Sequence, residues 1–153
     1  MDVRLPYFDA SYLVRLYLQD YGFEQVRELA ASASAVACAW HAQAEVVAAL
    51  HRAFRESRLP QEVYRSALDQ FIHDSKDGLV HWLPLTDLVQ RRLERFFRKA
   101  GATTFLRAAD ALHLACAAQH GYTEVFSHDR HFLAAAPLFG LKGINVISAL
   151  SSS

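Results

Sequence analysis

The chain has 153 residues, of which 52% are apolar and 21% charged. That length suits one domain able to bury roughly 68–70% of its unfolded surface, and the composition excludes a disordered chain. Sixteen basic and sixteen acidic residues cancel, which argues against a protein that coats a polyanion while leaving room for a local basic strip.

In chain order, residues 5–9 are a short apolar run, Leu5-Pro6-Tyr7-Phe8 closed by Asp9, and read as a buried strand. Tyr12, Leu13, Leu16 and Tyr17 have helical spacing over 11–19. Gly22 breaks that helix, and Phe23, Val26, Leu29 and Ala30 mark the next. Residues 34–38 form a second strand. Val46, Val47, Leu50, Ala53 and Phe54 share one face of a helix over 41–56. Pro60 suits the first turn of another helix, which carries Val63, Tyr64, Ala67, Leu68, Phe71 and Ile72 and stops by Gly78. The two helices within 41–76 read as a hairpin that supplies a wall or an oligomer face. Residues 79–83 are a third strand. Thr86-Asp87 start a helix that ends near Gly101, and 106–120 is a nearly all-apolar, buried helix capped by Gly121. Residues 124–127 are a fourth strand, 129–136 a short helix, and 143–147 a fifth strand.

Short apolar strands separated by helices imply parallel pairing with both faces covered. The expected fold is therefore α/β, a three-layer α/β/α sandwich around a mostly parallel sheet of about four to five strands. It forms one domain over 1–150, with 151–153 as a frayed serine tail. Cys38 and Cys116 lie in apolar runs and read as reduced core thiols. There is no zinc spacing, no secretory leader and no run of about 20 apolar residues, so a cytoplasmic location with no membrane association is expected.

Four acids stand where acids are costly. Asp9 ends the first strand, as either a helix N-cap or a ligand at a strand's carboxyl end. Glu45 sits beside the apolar stripe of its helix with Ala42, Ala48 and Ala49 around it. It is either solvated or faces space for an ion. Asp110 shares a narrow stripe with Arg107 and His113 on an otherwise apolar helix. A buried carboxylate needs a partner or a proton, and the choice is Arg107 or a metal. Asp129, after Ser127-His128, either caps the next helix or turns into the same cleft. Parallel strands would set Asp9, Asp110 and Asp129 side by side, which is hard to read as three unrelated caps. Carboxylate oxygens suit a hard divalent cation.

Arg91, Arg92, Arg95, Arg98 and Lys99 form a basic run with Phe96 and Phe97 between them. This run is a solvated face, a partner surface or a single-strand groove. Arg107 and Arg130 lie nearer the acids and are better phosphate contacts. His113 either orders Asp110 or packs in the core. Ser11, His41 and Asp9 have no triad spacing, and no phosphate-binding glycine loop occurs.

These residues resemble the PIN-domain family, and within it the VapC-type toxins of toxin–antitoxin pairs. The matching stretches run from Tyr7-Phe8-Asp9-Ala10-Ser11 through Tyr17, then Ala44-Glu45-Val46, Ala109-Asp110-Ala111-Leu112-His113-Leu114-Ala115, Phe126-Ser127-His128-Asp129-Arg130 and Phe139-Gly140-Leu141. They span nearly the whole chain. The resemblance implies RNA cleavage dependent on Mg²⁺ or Mn²⁺, by a metal-activated water. It makes Asp9, Glu45, Asp110 and Asp129 the site acids, with Asp9, Asp110 and Asp129 on the metal and Glu45 at its rim. Ser11, Ser127 and His113 are supporting polar residues. A cognate antitoxin and a homodimer are implied as well. His128 departs from the small or apolar residue expected there. A PIN-like binding module without cleavage is the rival reading. A haloacid-dehalogenase-like phosphatase wants an acid where Ser11 stands, and in a receiver-type domain Asp2 would be too far from Asp9.

Overall fold

A computed structural model describes residues 4–147; the end of the expected domain at 150 and the serine tail lie outside them. The helices are α1 (Ala10–Val14), α2 (Phe23–Ala33), α3 (Ala42–Arg55), α4 (Gln61–Lys76), α5 (Asp87–Lys99), α6 (Ala108–Gln119) and α7 (Arg130–Ala135). A 3-10 turn (Ala136–Phe139) follows α7. The strands are β1 (Val36–Ala39), β2 (Val80–Leu83), β3 (Glu124–Phe126) and β4 (Lys142–Ile144). They pair in parallel as β1 with β2 and β3 with β4, with Val36 opposite Val80 and Glu124 opposite Lys142.

The residues expected to form the first strand join these two pairs. Tyr7 bridges to Ala37 and Phe8 to Phe126, both in parallel. The Phe8 amide donates to the Ala37 carbonyl at 2.9 Å, and the Phe126 amide donates to the Tyr7 carbonyl at 2.8 Å. The first strand is thus two bridging residues rather than a run over 5–9. The spatial order is β2, β1, the Tyr7–Phe8 segment, β3, β4. The fold is the α/β arrangement expected, with shorter strands.

Alternation along the strands sorts the interior into two halves. Phe8, Val36, Cys38 and Val80 point into one core, with Tyr12 and Leu13 of α1, Val26 of α2, Val46 and Leu50 of α3 and Phe71 of α4. Tyr7, Ala39 and Val125 point into the other, with Val89 of α5, Leu114 to Ala117 of α6 and Phe132 of α7. Of the apolar stripe expected on α3, Val46, Leu50 and Ala53 are buried, together with Ala42. Val47 is 37% exposed and Phe54 is half-buried, because each lies one position past a member of that buried row. Cys38 and Cys116 are buried free thiols, and burial pushes Cys116 up to about 12. No helix among the described residues is long and apolar enough to cross a membrane.

Two elements are shorter than their patterns suggest, each because a side chain takes over backbone hydrogen bonds. The helix expected over 11–19 stops at Val14. The buried Arg15 guanidinium donates to the Ser11 and Tyr21 carbonyls, at 2.6 and 2.8 Å, and Arg27 donates to the Arg15 carbonyl at 2.9 Å. The strand expected over 143–147 is Lys142–Ile144. Beyond it the Val146 amide donates to the Tyr12 hydroxyl at 2.6 Å and the Ile147 amide to Asn145 Oδ1 at 3.1 Å.

This closure of the C-terminal segment over α1 depends on Gly22, which has φ +81° and lies directly beneath the Ile147 side chain. Gly22→Ala adds left-handed strain and a clash, and should destabilise the protein by about 2–4 kcal/mol. Urea unfolding followed by circular dichroism measures it.

Candidate active site

Strand order reverses on either side of the Tyr7–Phe8 segment, and in open parallel sheets ligands collect beyond the strands' carboxyl ends at such a switch point. Asp9 leaves the central segment there, and Ser127 leaves β3 beside it. A cleft of about 270 Å³ opens at this edge, lined by Asp9, Ala10, Ser11, Glu45, Arg107, Ala109, Asp110 and Asp129. All four acids singled out in the sequence meet in it.

Asp9 is 3% exposed. Its Oδ1 accepts the Tyr12 amide at 3.1 Å, capping α1, and the Ser11 hydroxyl at 2.7 Å; its Oδ2 accepts the Ser127 hydroxyl at 2.5 Å. Each serine is oriented in turn by a backbone amide, His128 N–H on Ser11 Oγ at 3.1 Å and Asp129 N–H on Ser127 Oγ at 2.9 Å. The cap and the cleft are therefore one arrangement, with both carboxylate oxygens fixed. Burial nonetheless pushes the Asp9 carboxyl above its ordinary range, opposed by the Ser127 bond, the nearby His113 and the Ser11 bond.

Asp110 lies in the first turn of α6, where the helix dipole favours an anion. Its carboxyl is still pushed up to about 6, first by burial and then by Asp129 and Asp9. Among the described residues it pairs with no cation. Arg107, at the N-cap of α6, stands exposed on the cleft wall. Asp129 caps α7 through Oδ1, accepting from His131 N–H at 2.8 Å and Phe132 N–H at 3.1 Å, and its side of the cleft stays open. Arg130 is exposed and does not line the cleft.

Glu45 enters from the first turn of α3. His113 Nε2 lies 2.7 Å from its Oε1, and His41 Nε2 lies 3.5 Å from the same oxygen. Burial raises the Glu45 carboxyl, but the His113 hydrogen bond and the two imidazoles outweigh it and leave it low. His113 is fully buried, and its Nδ1 is 2.7 Å from the Tyr7 hydroxyl. Both ring nitrogens are thus engaged, and His113 orders Glu45 rather than Asp110. His41 Nε2 also meets the Ala109 carbonyl at 3.0 Å. Burial and the neighbouring His113 depress the His41 imidazole. Tyr7 and His41 were not singled out for this site. Tyr7 looks like any strand aromatic, and the only hint for His41 is its place four residues before Glu45.

The basic run of α5 lines no part of this cleft. Phe96 stacks on Phe139 with centroids 4.4 Å apart, Phe97 is 43% exposed, and Arg92 donates to Gln119 at 3.2 Å.

Asp9, Asp110 and Asp129 offer oxygen-only donors, the chemistry that suits a hard divalent cation, and burial followed by the neighbouring acids raises the Asp110 carboxyl. The group whose ligand atoms already lie within 4.8 Å of one another among the described residues is His41, Glu45 and His113. A family model described as the PIN domain matches residues 7–137. Among solved structures, the Mycobacterium tuberculosis toxin VapC20, a sarcin–ricin loop cleaving toxin, is similar with a TM-score of 0.63 at 21% identity. That match covers 84% of this chain and 93% of that one. A chain of VapBC2 from Rickettsia felis, solved bound to a DNA fragment from their promoter, is similar with a TM-score of 0.62 at 13% identity, covering 92% of this chain and 98% of that one. Both are similar in fold. No curated protein matches the chain by sequence.

Asp110 gives the apo protein a pH signature. Its folded value, about 6, lies above that of an unfolded aspartate, so it favours folding at low pH, and that contribution is lost as pH rises through about 6. Asp110→Asn should raise the melting temperature of metal-free protein at about pH 7.5 by on the order of 2–4 °C. The gain should vanish by about pH 4. Paired thermal melts check both.

Proposed function

The chain belongs to the PIN domain family, and from that premise we propose that it is a divalent-metal-dependent endoribonuclease of the VapC toxin type, acting in the cytoplasm. The observation that carries this reading is the meeting of Asp9, Glu45, Asp110 and Asp129 in one cleft, where the Asp110 carboxyl, raised to about 6, is in no ion pair among the described residues. The similarity to a sarcin–ricin loop cleaving toxin supports RNA as the substrate. A cognate antitoxin and a homodimer belong to the same reading, and the exposed apolar Val63 and Ile72 of α4 offer surface for such a partner.

Asp9, Asp110 and Asp129 are the residues that would hold Mg²⁺ or Mn²⁺, with Glu45 at the rim. When bound there, the cation supplies Lewis acidity to water and neutralises phosphodiester charge. The protein's share is orientation. Ser11 and Ser127 hold the two Asp9 oxygens, so the central ligand is set before substrate arrives. The α7 cap fixes Asp129. The exposed Arg107 on the cleft wall contacts a substrate phosphate from the opposite charge sign, while Arg130 serves outside the cleft, along the strand's approach.

Asp9→Asn and Asp110→Asn should each lower cleavage of single-stranded RNA in Mg²⁺ by at least about 100-fold while the circular dichroism spectrum is kept. Full activity in both folded variants overturns the acid mechanism, and an inactive wild type favours the binding-module reading. Mg²⁺ at about 100 times its dissociation constant should stabilise the wild type by ~2.7 kcal/mol and the variants by less, read by thermal melts with and without the ion.

A further inference from the structure

We propose that His41, Glu45 and His113 form a second cation site, selective for a borderline transition ion such as Zn²⁺, on the wall it shares with the acidic cleft. Their ligand atoms lie within 4.8 Å of one another. Both imidazoles present Nε2 to one carboxylate oxygen, at 2.7 and 3.5 Å, and their rings are 4.3 Å apart. A tetrahedral Zn²⁺ with ligands at about 2.1 Å sets its ligand atoms roughly 3.4 Å apart. The His41–Glu45 edge already has that length, and the His113–Glu45 edge must lengthen slightly.

The donor set differs in kind from that of the cleft. Two imidazoles and one carboxylate suit Zn²⁺, Co²⁺ or Ni²⁺, whereas the oxygen-only acids suit Mg²⁺. The support behind the ligands also fits. His113 Nε2 carries its proton toward the Glu45 carboxylate in the metal-free protein, with the Tyr7 hydroxyl donating to Nδ1. Because a hydroxyl can also accept, Tyr7 can back the opposite tautomer when Nε2 binds a metal. The Ala109 carbonyl only accepts, so His41 Nε2 carries its proton in the metal-free protein. His41 Nδ1 has no hydrogen-bond partner among the described residues and can take that proton when Nε2 releases Ala109 for a metal. All three ligands come from α3, its N-cap and α6, which are rigid elements. Glu45 belongs to both sites, so an ion between the imidazoles draws its carboxylate away from the cleft. This coupling, unlike the binding itself, rests on the nuclease reading.

Binding is tested in protein carrying Asp9→Asn and Asp110→Asn, which weaken the acid site. Titration with Zn²⁺ by calorimetry and with Co²⁺ by visible absorption should show one tight site that millimolar Mg²⁺ does not displace. Adding His41→Ala, at a half-buried position, should weaken Zn²⁺ at least tenfold, and Glu45→Gln should do the same. Absence of a tight site, or Zn²⁺ affinity unchanged from the parent protein in both the His41→Ala and the Glu45→Gln variants, overturns the proposal and leaves a purely structural hydrogen-bond cluster. The coupling is read separately in protein with intact acids. Zn²⁺ should inhibit RNA cleavage, and His41→Ala should raise the half-inhibiting concentration about tenfold; an unchanged value overturns the coupling. A wild type that cleaves no RNA overturns the nuclease reading and leaves the binding result to stand or fall by itself.

Discussion

Tyr7 and Phe8 each make one bridge, to Ala37 on one side and to Phe126 on the other, and the cleft depends on that shared edge. Without it the strands are two separate parallel pairs, each with an unpaired edge. With it the sheet is continuous and its strand order reverses at one point. The residue that follows the bridge is Asp9, so the backbone constraint that closes the sheet also sets the position of the central carboxylate. Side-chain alternation does a second task at the same place. Phe8 goes to one core and Tyr7 to the other, and Tyr7 there meets His113, which meets Glu45. One dipeptide thus anchors both ends of the site.

The site concentrates negative charge and then treats its members differently. Asp9 is the most buried, but three hydrogen bonds orient it. Asp129 spends one oxygen on a helix end. Glu45 is held low by two imidazoles. Asp110 makes no side-chain hydrogen bond among the described residues, and the α6 dipole and His113 do not offset burial and the neighbouring acids, so its carboxyl stands near 6. Asp110, in no ion pair among the described residues, is thus the acid whose charge state depends most on what else enters the cleft.

Local patterns carried most of the fold. Element order, the buried stripe of α3, the Thr86 cap of α5, the Gly121 stop after α6 and the parallel arrangement were all legible from spacing and punctuation. What spacing missed was set by long-range side-chain bonds. Arg15 and Arg27 end α1 early, and Tyr12 and Asn145 take amides that a longer last strand would have used. The same holds at the site. Asp9, Asp110 and Asp129 were legible because strand and helix ends are local features. The attachment of His113 to Glu45 spans 68 residues, and its attachment to Tyr7 spans 106. No periodicity encodes either, and the one-stripe argument for Asp110, which offered Arg107 as partner, does not extend to pairs across elements. Asp9 and Asp129 also show that a helix cap and a place in the cleft need not be alternatives, since each caps a helix and lines the cleft.

The Ser127 hydroxyl reaches Asp9 across 118 residues of chain. On a translating ribosome the acid therefore emerges long before the group that orients it, by on the order of ten seconds at ordinary elongation rates. Until the later segment is threaded out and docked, the central carboxylate has neither its second oxygen fixed nor β3 beside it. A nascent chain cannot complete this arrangement before residue 127 is available to dock. The order of emergence along the chain thus sets the order in which the cleft can be put together.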